Sequence, residues 1–214
     1  MHETKWRELI CDWMSSAWPE DIYIEEAYTP YGTDVIHDKL ARPDILRISP
    51  EGGISIIEVK KWGSSEFNKW AVLGQLQLYT FLTETQYFQD NENYFWMQNL
   101  IKKGLFNQSV IDNIESRFKE LDYIVDEWCV VIVGGDKEEI EQSEILWHMY
   151  DFVNLNVDSN SNFRPLTLLY ATEKNGEYRC DNLECWFRKI AVSRTRTHNK
   201  AFKTDSQRVV FFYA

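Results

Sequence analysis

The run Ile54-Ser55-Ile56-Ile57-Glu58-Val59-Lys60 constrains this chain more than any other stretch. It is an apolar strand that carries two ionisable side chains. Alternation puts Ile54, Ile56, Glu58 and Lys60 on one face and Ser55, Ile57 and Val59 on the other, so Glu58 and Lys60 project side by side. Pro50-Glu51-Gly52-Gly53, just ahead of it, is the composition of a hairpin connector. The segment 43–48 is therefore expected to pair antiparallel with the segment 54–60, which brings Asp44 close to Glu58.

Two carboxylates at one place repel, and a hard divalent cation with oxygen ligands relieves the repulsion. Magnesium keeps several of its waters, so one can serve as nucleophile while the ion offsets charge on a phosphate. Lys60 then has a place in the same chemistry, orienting that water or stabilising the phosphate. A helix follows, to about Glu84. With Gln75 as reference, 100° per residue puts Ala71, Val72, Leu78, Tyr79 and Leu82 on its side, and Gln77 on the far side with Leu73, Thr80 and Glu84. Gln75 is then a polar residue on an apolar face. A buried amide needs a partner, and a helix laid beside the active strands would aim it at the site.

Pro43-Asp44 followed by Glu58-Val59-Lys60 resembles the signature of the PD-(D/E)XK nuclease superfamily. Gln75-Leu76-Gln77-Leu78-Tyr79 resembles the QxxxY motif of its RecB-like branch. The run from Ser64-Ser65-Glu66-Phe67 to Leu73-Gly74-Gln75 is also similar to XisH-type proteins, although Arg42-Pro43-Asp44 stands where a Gly-containing Asp motif is expected there. The resemblance covers about residues 1–135. It implies an α/β chain with a restriction-endonuclease-like core, a mixed central sheet of about four or more strands flanked by helices. It implies phosphodiester hydrolysis with Mg²⁺ or Mn²⁺ held by Asp44 and Glu58, and with the Val59 carbonyl as a further ligand. Lys60 would act on the water or phosphate, and Gln75 and Tyr79 would support the site.

Many members of that superfamily carry an acidic residue on the first helix, reaching toward the metal. Here 2–17 reads as that helix, with Trp6, Leu9, Ile10, Trp13, Met14 and Ala17 as its stripe. Periodicity selects Glu3 over Glu8 for the role; the plainer reading of Glu3 is a first-turn charge on the helix dipole. Glu26, on the Ile22/Ile24 face of a strand over 21–28, is the rival. His37 belongs to the loop 29–41.

The whole of 1–214 reads as one nuclease-like domain, with a helical insertion over about 86–121 split at Gly104 and a C-terminal extension over about 136–214. Asp126–Val133 is a buried strand ended by Gly134-Gly135. An acidic helix over 137–151, a strand over 166–172, an Asn175-Gly176 turn and a final strand over 208–213 complete the reading.

The formal charge of −11 argues against a generic nucleic-acid coat. The balance is uneven. From Arg179 to Ala214, eight Lys/Arg face three Asp/Glu, which leaves −16 for the first 178 residues. The basic end is either a solvated face or a phosphate-tracking surface. Arg194, Arg196 and Lys200 are its candidate nucleic-acid contacts, and Lys61 and Lys69 are those nearer the strand. The nine Trp and eleven Tyr are mostly core and rim residues, and some could stack on bases. Four cysteines in a chain this size are not a disulfide framework. Cys11 and Cys129 read as small core residues, and Cys180-x4-Cys185 lacks the spacing of an iron–sulfur site.

No signal peptide or apolar run of membrane length is visible, so a reducing cytoplasm and no membrane partner are expected. The function expected is a DNA endonuclease, with nucleic acid as partner and a homodimer or accessory subunit as possible company. The alternatives are a catalytically silent nuclease-fold module that binds nucleic acid or protein, and an RNA endonuclease.

Overall fold

A computed structural model describes residues 3–25, 43–68, 70–89, 107–121, 123–157, 163–174 and 177–183. The expected hairpin organises it. β2 (Ile45–Ile48) and β3 (Ile54–Lys61) pair antiparallel, with Ile45 opposite Ile57 and Ile48 opposite Ile54. Between them the Gly52 N–H donates to the Ser49 carbonyl at 2.9 Å, and Gly52 has φ of +85°. Glycine is required there twice over: for the left-handed backbone, and because a Cβ would come within 2.6 Å of the Ile114 backbone nitrogen.

β1 (Ile22–Glu25) adds to β2 antiparallel, and β4 (Val125–Val133) adds to β3 parallel. β5 (Leu166–Lys174) runs parallel to β4, and β6 (Glu177–Asn182) is antiparallel to β5. The result is a six-stranded mixed sheet in the order β1-β2-β3-β4-β5-β6. β3 and β4 are its centre. Seven of the eight β3 residues are buried, and the last six of β4 are as well, as a parallel pair covered on both faces requires.

α1 (Glu3–Ala17) covers one face. Ile10, Cys11 and Met14 pack on Ile45, Ile57 and Val59 from the hairpin and on Cys129, Val131 and Leu169 beyond it. α2 (Ser65–Asn68) and α3 (Ala71–Gln89) follow β3, and α3 lies on the opposite face. There the buried Trp128 donates its indole N–H to Thr80 Oγ1 of α3 at 2.7 Å. α4 (Gln108–Leu121) seats the hairpin turn, with Asn113 Nδ2 donating to the Pro50 carbonyl at 2.7 Å.

A clamp at the start of β4 ties α3 to the sheet. Glu84 takes the Ile124 and Val125 N–H groups and the Arg164 guanidinium, the last at 2.8 Å. On the expected helix over 137–151 the structure differs. It divides into α5 (Lys137–Glu141) and α6 (Glu144–Asn156), because Ser143 Oγ accepts the Leu146 N–H and starts a second helix.

β6 was not anticipated by the alternation rule, since Glu-Tyr-Arg-Cys-Asp-Asn is a polar edge strand. Its register, Lys174 opposite Glu177, is the one a two-residue Asn-Gly connection calls for. The sheet thus continues past residue 135 through residue 182. His37, Gly104, Cys185 and the strand expected over 208–213 lie outside the described residues. Among the described residues, no helix is long and apolar enough to cross a membrane.

Candidate active site

The site is a consequence of the β2–β3 register. Asp44 immediately precedes β2, and its neighbour Ile45 sits opposite Ile57. One further step of antiparallel pairing sets Asp44 against Glu58. The backbone N–H of Asp44 donates to Glu58 Oε1 at 3.3 Å, and the Val59 N–H donates to Asp44 Oδ2 at 2.8 Å. Two residues along the same strand face, Lys60 Nζ lies 2.7 Å from Glu58 Oε2. Asp44, Glu58 and Lys60 are all buried, at 8, 2 and 8% exposure. Charged side chains this buried are rare unless paired, and here Lys60 pairs with Glu58.

The electrostatics of Glu58 follow from that placement. Burial pushes its carboxyl up to about 7, and the Asp44 charge pushes in the same direction. The Lys60 ammonium and the Asp44 N–H pull it back, without offsetting the burial.

A fourth member comes from α1. Arg7 Nη1 lies 3.5 Å from Asp44 Oδ1. The superfamily resemblance points to an acidic residue on this helix rather than to Arg7. The signal was present: Arg7, Ile10, Cys11 and Met14 are spaced i, i+3, i+4, i+7, and the last three are the buried stripe of α1. Glu3 opens α1, but its side chain lies outside the described residues, and so does the whole of Glu26.

The face assigned to α3 needs correction. Val72, Leu73, Leu76, Tyr79, Thr80 and Thr83 are buried, which centres the buried side on Leu76; Ala71 and Leu78 are exposed. Gln75 therefore sits on the flank of the apolar stripe. The reason is that α3 carries large apolar residues all round, Leu78 and Phe81 among the exposed ones, so periodicity alone does not orient it. Gln75 is half-buried, and its Oε1 is enclosed with no hydrogen-bond partner among the described residues. Tyr79 is buried on α3, which covers the sheet face to which Glu58 and Lys60 belong.

Val59 turns its side chain into the core beneath α1. Lys61 ends β3 exposed. Lys69, Arg194, Arg196 and Lys200 lie outside the described residues. Cys11 and Cys129 are buried, as expected of small core residues, and burial pushes the Cys11 thiol up to about 12. Cys180, half-buried in β6, is pushed up to about 12 by the same cause, so neither of these two thiols is a ready thiolate.

The residues fit a hard divalent ion. Two carboxylates are adjacent, one of them held far above its ordinary range by desolvation and by the other's charge, and a cation relieves both effects. Asp44 and Glu58 would be the two acidic donors. Among the described residues no cluster of three or more His, Cys, Asp or Glu suited to a metal occurs. Compared with protein-family models, with curated proteins and with solved structures, the chain finds no match.

Proposed function

We propose that the chain is a metal-dependent nuclease that hydrolyses phosphodiester bonds, with internal cleavage of DNA as the reaction. The observation that carries this reading is the contact of Asp44, Glu58 and Lys60 at the open end of one hairpin. The order of elements supports it: a helix, three antiparallel strands, a crossover with helices and a parallel fourth strand, beside the matching motif residues. This is what resemblance to the PD-(D/E)XK superfamily implies.

Mg²⁺ or Mn²⁺, bound through Asp44 and Glu58 with the Val59 carbonyl as a further ligand, would supply an acidified water and charge for the phosphate. The chain's own residues do the rest. Asp44 is aimed by the Val59 N–H, which fixes Oδ2. Glu58 is confined between the Asp44 N–H and Lys60. Lys60 brings its ammonium into a buried site, where it is worth more to a developing phosphorane than on a surface. Gln75, with an enclosed amide oxygen that has no partner among the described residues, suits a role in holding water or substrate. Tyr79 belongs to the same supporting helix.

A second reading has its own observation. Among the described residues each carboxylate has a cation beside it, Arg7 by Asp44 and Lys60 by Glu58, which is also how a catalytically silent module would retain an acidic pair. Such a module would bind nucleic acid or protein as an accessory subunit. The test is incubation of the purified protein with circular and linear DNA, and with RNA, with and without Mn²⁺. Mn²⁺-dependent nicking of circular DNA is the expected result. Cleavage of RNA alone would shift the substrate. No cleavage, with Mn²⁺ shown to bind, would favour the silent module.

A further inference from the structure

The strand face that carries Glu58 and Lys60 continues by alternation to Trp62. The Trp62 N–H extends the ladder, donating to the Val133 carbonyl of β4 at 2.9 Å. At about 3.3 Å per residue, Trp62 stands roughly 7 Å beyond Lys60 and roughly 13 Å beyond Glu58 along the strand. A nucleic-acid strand that follows β3 from a phosphate at the carboxylates reaches this ring within a few nucleotides, at about 3.4 Å of rise each.

The ring has a built seat. Gly134 and Gly135 follow β4 with φ of +71° and +82°. A Cβ on Gly135 would come within 2.4 Å of Trp62 Cδ1, so bare backbone lies against the pyrrole end of the indole. The Tyr170 hydroxyl donates to the Gly135 carbonyl at 3.0 Å and pins that floor. Phe67 of α2 meets the ring at 6.1 Å between centroids, tilted by 45°. Phe67 is buried, whereas Trp62 is only half-buried. A large aromatic is thus fixed at the edge of the site with part of its surface open. Lys61, exposed beside it, adds a cation. Aromatic side chains beside basic ones are the combination that holds unpaired nucleic acid, since bases stack while phosphates pair.

We propose that Trp62 is a stacking platform for an unpaired base that flanks the phosphodiester held at Asp44, Glu58 and Lys60. A base inside a duplex is covered on both faces by its neighbours, so such a platform selects substrates already unpaired beside the cleaved bond. The proposal rests on the nuclease reading and gives it a substrate class. The experiment compares two short single-stranded oligonucleotides of equal length, one of thymidines and one fully abasic. Both carry the same phosphates, and only the first offers π-faces. Affinities are measured for wild type, Trp62→Leu and Trp62→Phe, with Ca²⁺ replacing Mn²⁺ as a hard ion taking the same oxygen ligands. Wild type should prefer the thymidine strand. Trp62→Leu keeps apolar bulk in the seat without a π-face, and should reduce that preference by roughly fivefold to a hundredfold, the usual range for one stacked base. Trp62→Phe should keep most of it. The salt dependence should be the same in all three, because an indole carries no charge.

A tryptophan that only packs on Gly135 and Phe67 would lower the melting temperature of Trp62→Leu and weaken both oligonucleotides alike, which overturns the proposal. So does a wild type with no preference for the thymidine strand, or a folded Trp62→Phe that loses as much preference as Trp62→Leu. Mn²⁺-dependent cleavage by wild type beside any of these results sinks this proposal alone. Absence of both Mn²⁺ binding and cleavage in wild type sinks the nuclease reading, and this proposal with it.

Discussion

Glu58 carries the pH dependence of the site. Its carboxyl is raised from 4.5 to about 7 in the folded protein by burial and by Asp44. A raised acid binds its proton more tightly folded than unfolded. Its contribution to stability is therefore fully present below pH 4.5 and is lost as pH rises toward 7, at up to about 1.4 kcal/mol per pH unit. Metal-free wild type should lose melting temperature across that window, and Mn²⁺ should reduce the loss, because only the ionised carboxyl takes the metal. Thermal scans in EDTA and in Mn²⁺, beside Glu58→Gln, read this directly; a wild type and a Glu58→Gln that track each other across the window would contradict it. At fixed pH, Asp44→Ala and Glu58→Ala should each abolish Mn²⁺ binding by calorimetry. Lys60→Ala should keep Mn²⁺ and lose cleavage by roughly a hundredfold or more. Normal turnover in Lys60→Ala would make Lys60 only the internal counter-ion of Glu58. These three residues were legible in the sequence because a strand has a strict period of two and a hairpin fixes the register. Gln75 was not placed correctly, because α3 has apolar side chains on every side and its sequence does not say which are covered. Arg7 was missed because an arginine among apolar neighbours reads as a flank until its partner on another element is known.

The β2–β3 hairpin is the element that sets the Asp44–Glu58 distance, and Gly52 is its critical residue. Gly52→Ala meets two obstacles, a φ of +85° and a Cβ 2.6 Å from the Ile114 backbone nitrogen. Backbone strain of this kind costs roughly 1–3 kcal/mol, and the contact with α4 backbone adds to it. Gly63→Ala is the control: φ is +76° but a Cβ there meets nothing within 4 Å. Denaturant unfolding should show Gly52→Ala the more destabilised, and Mn²⁺ affinity should fall with it if the turn holds the carboxylates in register. Equal losses at the two glycines would mean that α4 yields. The existence of β1 to β5 followed from apolar runs bounded by Pro, Gly and Asn, and their limits moved by only a few residues. The break between α5 and α6 did not follow, because a helix that stops for a Ser143 cap keeps its apolar period on both sides. β6 did not follow either, since an edge strand paired on one side has no second neighbour to demand alternation.

At the scale of the whole molecule the question is how a chain of net charge −11 would hold a polyanion. The first 178 residues carry −16, so attraction must come from a few local cations or from the basic end, where eight Lys/Arg face three Asp/Glu from Arg179 onward. Most of that end lies outside the described residues, and the prediction stands on its sequence. If Arg194, Arg196 and Lys200 each meet a phosphate, neutralising all three should flatten the salt dependence of DNA binding by about two to three units of log–log slope. Mn²⁺ affinity should not change, because the proposed ligands belong to the β2–β3 hairpin region. The measurement is duplex affinity against salt for both proteins in a cleavage-dead Glu58→Gln background, with calorimetry of Mn²⁺ in the native background. Identical slopes would make the basic end a solvated face. Binding would then have to come from Lys60, Lys61 and Lys69. So few cations against so large a negative charge would hold DNA weakly, and the accessory module, acting with a protein partner that supplies the affinity, would become the better account.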